Sequence, residues 1–270
     1  MLFRSFSQTG KPKEILEKML NACETIKTGK FTLKSFERLT KGEMSESLML
    51  VKYEAEPKKV YLYLVTPNAG TEVLYRHGWI NDKLYINPSG FPFVNVKMSP
   101  YSSLVRKDTH HTIHQIGFDY ISSMIRFYLN MYGENFYKYL SIKDTVKWEN
   151  HTCIQLSYDF TEFDTRPYTV CAGETVTTIG AKLHLNDYSI LLMNPGISDY
   201  DHVHLGQVIK VPNFYNRRVD FYVDKATWLP VVQEVYDRKG LYERYELKSF
   251  IINPKFESDE FSPTFKDYKY

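Results

Sequence analysis

Between Phe160 and Arg217 the sequence changes its period. On both sides the chain alternates apolar or aromatic residues with charged ones, the two-residue period of half-buried strands. Between them the run "YTVCAGETVTTIGAKLHLNDYSILLMNPG", Tyr168 to Gly196, carries small residues, apolar positions at helical spacing and an Asn-Pro-Gly stop. With Thr165 to Asn213 removed, the strand ending near Phe160 and the strand starting near Arg217 become partners in a hairpin. Host folds tolerate extra chain best at turns. The pattern therefore predicts a discontinuous host domain, residues 12–164 plus 214–262, with a second unit of residues 165–213 set into it. Residues 263–270 read as a tail.

The host reads as α+β. A first helix starts at Pro12, which suits a first helical turn, and places Ile15, Leu16, Met19, Leu20, Cys23 and Ile26 on one face, with Gly29 as its stop. Strands follow in short succession. "KKVYLYLVTP" puts Val60, Leu62 and Leu64 on one face and Tyr61, Tyr63 and Val65 on the other. Turns are expected near Asn81-Asp82, Glu149-Asn150, Lys225-Ala226 and Lys239-Gly240. A second helix is expected from about Thr109 to Leu140, capped by Asp108 and bent or broken at Gly133. The 22 Tyr and 17 Phe favour pleated, half-buried surfaces. Sequential strands imply an antiparallel sheet with the two helices covering one face. Tyr61, Tyr63, Tyr75, Trp79 and Tyr85 are candidate liners of an apolar groove, against the plainer reading that they pack under the helices.

Several function classes find little support. Net charge is only +2, without a Lys/Arg block, so no nucleic-acid face is indicated. No apolar run is long enough to cross a bilayer. No nucleophile elbow, phosphate loop or dinucleotide fingerprint occurs, so no catalytic residue and no cofactor is assigned. His110 and His114 stand at the i, i+4 spacing of zinc ligands on a helix, but no third ligand is evident, and a polar first helical turn accounts for them. Cys23, Cys153 and Cys171 have no metal-ligand spacing. They read as buried thiols, with a Cys153–Cys171 pair as the alternative. Residues 1–11, which open with "MLFRSFSQTG", read as the remainder of a truncated export signal or as disordered chain.

The inserted unit resembles the LysM carbohydrate-binding module. The resemblance rests on "YTV", Ala172 to Thr175, Ile179-Gly180-Ala181, "LMNPGI" at Leu192 to Ile197 and "LGQVIKVP" at Leu205 to Pro212. It implies a βααβ fold that binds N-acetylglucosamine polymers, chiefly peptidoglycan or chitin. The implied groove lies between Gly173, Glu174, Thr175 and Val176 on one lip and Asn194, Pro195, Gly196 and Ile197 on the other. Glu174 stands where the family more often has Asp, and Cys171 where it is commonly polar or charged. Around the insert, "FYVDKATWLPV" and "HHTIHQIGFDYI" (His110 to Ile121) resemble LolA/LolB-like envelope proteins and a bacterial family of unknown function in that superfamily. That likeness implies a half-open β-barrel closed by helices, able to hold a lipid or lipoprotein.

Together these readings describe an exported, non-catalytic cell-envelope or periplasmic protein. It would be held to peptidoglycan by its insert and carry or sense an apolar ligand. An envelope hydrolase or accessory targeted by the insert, and a plain glycan-binding scaffold, are the alternatives.

Overall fold

The structure is a computed structural model, and it describes residues 11–270. The export-signal expectation therefore falls almost wholly outside the described residues. Helix α1 (Pro12–Glu24) has Pro12 in its first turn and buries Ile15, Leu16, Met19, Leu20 and Cys23. Each such side chain contributes roughly 1.5–3 kcal/mol on leaving water. The helix does not reach Gly29. It ends at Glu24, where the Thr25 hydroxyl donates to the Ala22 carbonyl.

Gly29 instead lies inside β1 (Thr28–Arg38) because of a tyrosine on β2 (Met44–Glu54). A Cβ at Gly29 would stand 2.2 Å from Tyr53 Cε1, and one at Gly117 would stand 2.8 Å from Tyr53 Cε2. Two glycines thus make room for one fully buried ring.

Strands β3 (Lys59–Thr66), β4 (Glu72–Arg76), β5 (Leu84–Asn87) and β6 (Val96–Met98) continue the antiparallel order. A four-residue helix, α2 (Ser103–Arg106), and helix α3 (Phe118–Tyr132) come next. Strands β7 (Leu140–Trp148) and β8 (His151–Asp159) lead to the insert. Beyond it, β11 (Arg218–Asp224), β12 (Pro230–Asp237) and β13 (Gly240–Ile252) complete the host. Among the described residues, eleven host strands form one antiparallel sheet in the order β6-β5-β4-β3-β2-β1-β13-β12-β11-β8-β7. Among the described residues the sheet is not closed, since β6 and β7 are its two edges. Helices α1 and α3 pack against each other, and Arg126 of α3 pairs with Glu17 and Glu24 of α1.

The insert consists of β9 (Thr165–Thr169), α4 (Val176–Leu183), α5 (Asp187–Met193) and β10 (Val208–Pro212). Its two strands pair antiparallel with each other and not with the host sheet. On either side of it, β8 and β11 are direct antiparallel neighbours.

The long helix expected from Thr109 to Leu140 is shorter. The segment before Phe118 is a single 3-10 turn, Ile113–Gln115, closed by a reciprocal cap between Thr112 and Gln115. Gly117, at φ 118°, breaks the helical path immediately before α3, so Asp108 caps nothing. Gly133 ends α3, and a 3-10 stretch, Gly133–Tyr139, carries the chain to β7.

The residues expected to form a tail are also packed. The Tyr268 ring stacks on Tyr61 at 3.8 Å and Tyr270 on Tyr85 at 5.2 Å. Glu72 accepts the Lys269 backbone N–H at 2.9 Å, and Asn87 donates to the Lys269 carbonyl at 2.9 Å. The last eighteen residues (253–270) thus help cover the side of the sheet to which Tyr61 points, away from Val60 and Leu62.

Candidate functional site

The eight residues named for the glycan groove divide into two groups. Val176 and Ile197 are buried in the core of the insert. Glu174 accepts from the Lys182 ammonium at 2.8 Å, the Cys171 N–H at 2.9 Å and the Tyr168 hydroxyl at 2.8 Å. Lys182, then those two donors, hold its carboxyl down to about 2. Thr175 caps α4 by accepting the Thr178 N–H at 3.1 Å. The Asn194 amide donates to the carbonyls of Ile190 and Lys210, both at 2.7 Å, and its oxygen accepts the Lys210 N–H at 2.8 Å. These five side chains build the two loops. Gly173, Pro195 and Gly196 are exposed, so the open surface of the lips is mainly backbone.

The insert is fixed to the host through residues of α4, α5 and the segment after α5. Arg106, 1% exposed, donates to Asp187 at 2.6 Å and to Thr177 at 3.0 Å, and its guanidinium lies 3.6 Å from the Tyr200 ring centroid. Asn186, the N-cap of α5, donates to the Tyr215 hydroxyl and accepts from Tyr242 of the host. The Tyr188 hydroxyl receives the Thr40 N–H at 3.0 Å, and His184 stacks on Phe127 of α3 at 3.6 Å. Host and insert share one continuous apolar core. Nothing in the local sequence around Arg106 marked it, since its partners lie more than seventy residues away.

Beneath α3, against the inner face of the sheet, are two adjacent cavities of about 70 and 100 Å³. Tyr120, Ile121 and Gln233 line both, which makes them neighbours. The smaller is bounded by apolar side chains such as Met124, Phe136 and Phe221. The larger runs from Phe31 and Leu247 to a polar end at His111 and Tyr245. Both are well below the roughly 300 Å³ of a ligand-sized pocket. Of the five aromatic liners expected, Tyr61, Tyr63, Trp79 and Tyr85 pack with the C-terminal residues instead. Tyr75 belongs to the inner core, where it bonds Asp82 and meets His114 edge-on. None of the five lines these two cavities, because strand alternation and the C-terminal cover place four of them on the other face.

His110 and His114 do not share a helix face. His110 is sandwiched between the Tyr188 and Tyr242 rings at 4.3 Å each, while His114 packs between Tyr75 and Tyr101. His111 is the one that joins a carboxylate cluster. Glu243 lies 2.9 Å from His110 Nδ1 and 3.3 Å from His111 Nε2, and is also reached by the Tyr245 and Tyr215 hydroxyls. Burial pushes the Glu243 carboxyl up, but His111 and His110 outweigh it and hold it well below the usual carboxylate range. Glu37 accepts the Tyr245 hydroxyl beside it. The cysteines form no disulfide: Cys23 and Cys153 are buried, whereas Cys171 is exposed in the loop after β9.

Residues 168–212 match the LysM domain model. Among solved structures, the chain is similar to an uncharacterised conserved protein of Thermus thermophilus, at 10% identity over 95% of this chain and 96% of that one, TM-score 0.42. It is similar to the lipoprotein LppX of Mycobacterium tuberculosis, at 9% identity over 91% and 97%, TM-score 0.42. A LolA superfamily protein of Nitrosomonas europaea aligns at 9% identity over 94% and 98%, TM-score 0.35. No curated protein matches the chain. The family model named DUF1571, a protein family of unknown function, matches residues 27–171, more than half of the chain. The chain belongs to the DUF1571 family.

Proposed function

We propose that this is a non-catalytic cell-envelope protein that binds N-acetylglucosamine glycan, chiefly peptidoglycan, through residues 165–213. The observation that carries this reading is the exposure of the two loop tips of the insert. Arg106, Asn186 and Tyr188 hold it by the helix side, while Gly173, Pro195 and Gly196 stay open to solvent. Backbone N–H and C=O groups on two facing loops suit an N-acetyl group. Co-sedimentation with purified peptidoglycan tests the proposal. The intact chain is expected in the pellet, and a Gly196→Trp variant in the supernatant. A wild-type chain that stays in solution would remove the reading.

A second reading, that the host sheet acts as a half-barrel for an acyl chain, is favoured by the adjacent cavities under α3. In their present size they hold only a few waters, so α3 must lift away from the sheet to admit a ligand. The 15-residue α3 ends at glycines on both sides, Gly117 and Gly133, which suits such a movement. Binding of a fluorescent fatty acid, competed by unlabelled fatty acid and weakened by Ile121→Trp, is the expected result. Unchanged fluorescence on mixing with the wild type would count against carriage.

A further inference from the structure

Glu37 and Glu243 are direct cross-strand partners in the β1–β13 register. They are 3% and 0% exposed. Like charges directly opposite each other destabilise a strand pair, and buried carboxylates persist when they are paired or coordinate a metal. Tyr245 faces both carboxylates, yet its hydroxyl has one proton to donate, so it serves only one of them at a time. The Glu37 carboxylate receives no other hydrogen bond among the described residues. His111 brings a nitrogen to the same point, 3.3 Å from Glu243 Oε2, and its other ring nitrogen is buried without a partner among the described residues.

From this geometry we infer that Glu37, His111 and Glu243 form a binding site for a divalent transition-metal cation. One ligand atom from each lies within 4.8 Å of the others. Ligands at about 2.0–2.2 Å from a zinc-like ion stand roughly 3–4 Å apart, so a small inward movement closes the set. One imidazole with two carboxylates suits zinc or manganese better than a thiolate-loving ion. The His111 Nε2 lone pair and one oxygen of each carboxylate ligate. The cavity of about 100 Å³ that His111 and Tyr245 border has room for water to complete the coordination. His110 supports the site from behind. Its Nδ1 meets Glu243 and its Nε2 meets the Arg38 carbonyl at 3.0 Å, which orients the Glu243 carboxylate.

The test uses the full chain, stripped with EDTA and then titrated with Zn²⁺ and, separately, Mn²⁺ by calorimetry and native mass spectrometry. One tightly held ion per chain and a higher melting temperature are expected with at least one of the two metals. Glu37→Gln is expected to weaken that binding at least tenfold, with the circular dichroism spectrum unchanged. Should Glu37→Gln fail to fold, His111→Gln serves as the second variant. The wild-type stoichiometry stands as a test in either case. An absence of stoichiometric binding overturns the inference. So does binding that survives Glu37→Gln and is lost in His202→Ala/His204→Ala, two exposed histidines on the insert. Glycan retention is measured in parallel, so that failure of this site and failure of the glycan reading are separable.

Discussion

Arg106 of the host lays its guanidinium 3.6 Å from the centroid of the Tyr200 ring of the insert while donating to Asp187 at 2.6 Å. The planar fork and flat cationic face of arginine make both contacts at once, which a lysine cannot reproduce. Side-chain exposures of 1% for Arg106 and 14% for Asp187 place the pair away from bulk water. Removing one partner of a buried pair strands the other charge and costs about 3–5 kcal/mol. Arg106→Ala is therefore expected to lower the melting temperature sharply, and Arg106→Lys to recover only part of the loss. Thermal unfolding of the three proteins checks both expectations.

In the two loops of the insert, Glu174, Thr175 and Asn194 are engaged in hydrogen bonds, whereas Gly173, Pro195 and Gly196 are exposed. Gly196 has open space where a Cβ would stand and no positive φ, so a large residue fits there without backbone strain. Gly196→Trp is expected to abolish retention on peptidoglycan while the melting temperature stays within about 1 °C, a surface change of under roughly 0.5 kcal/mol. Asn194→Ala is expected to lose both, because its amide ties the end of α5 to β10. Parallel pull-downs and melts distinguish these outcomes.

Gly29 and Gly117 flank Tyr53, and the tighter approach is at Gly29. Overpacking of this kind costs about 1–3 kcal/mol. Gly29→Ala is expected to destabilise by that amount in urea unfolding. In the double variant Gly29→Ala/Tyr53→Leu the combined loss should be smaller than the sum, since the two changes act on one contact. Strict additivity would mean that the glycine serves backbone conformation instead of making room for the ring.

Which parts of this fold could be read from the sequence follows from how far apart the relevant residues lie. The insert was legible because its motifs are local: Ala172 to Thr175 and Leu192 to Ile197 each specify a loop on their own. Strand faces were legible by alternation, as Val60 and Leu62 against Tyr61 and Tyr63 show. The cover over Tyr61 was not, because the ring that stacks on it belongs to Tyr268, more than two hundred residues further on. The start of α3 was misplaced because His110 to Gln115 carry an acceptable helical pattern. Their side chains are instead drawn into tertiary partners such as Glu243 and Tyr188. The acid–histidine cluster joins positions 37, 111 and 243: the β1–β13 register pairs the first with the last, and the loop before α3 adds His111.

The stability of the insert should depend on pH through Glu174. Lys182, the Cys171 N–H and the Tyr168 hydroxyl all favour its charged form and bring its carboxyl from the ordinary 4.5 to about 2. A carboxyl lowered on folding contributes stability that is present in full above its unfolded value and is lost as pH falls through the folded one. Between pH 5 and pH 2 the insert should therefore lose stability steadily, and above pH 5 this carboxyl should add no further slope. Glu174→Gln removes the titrating group and two of the charge-assisted bonds. Its melts should start lower at pH 6 and change less on acidification than those of the wild type. Melting curves of both proteins across pH 2 to pH 6, read against glycan retention at each pH, check the window. Equal slopes for the two would show that the acid lability arises elsewhere in the chain.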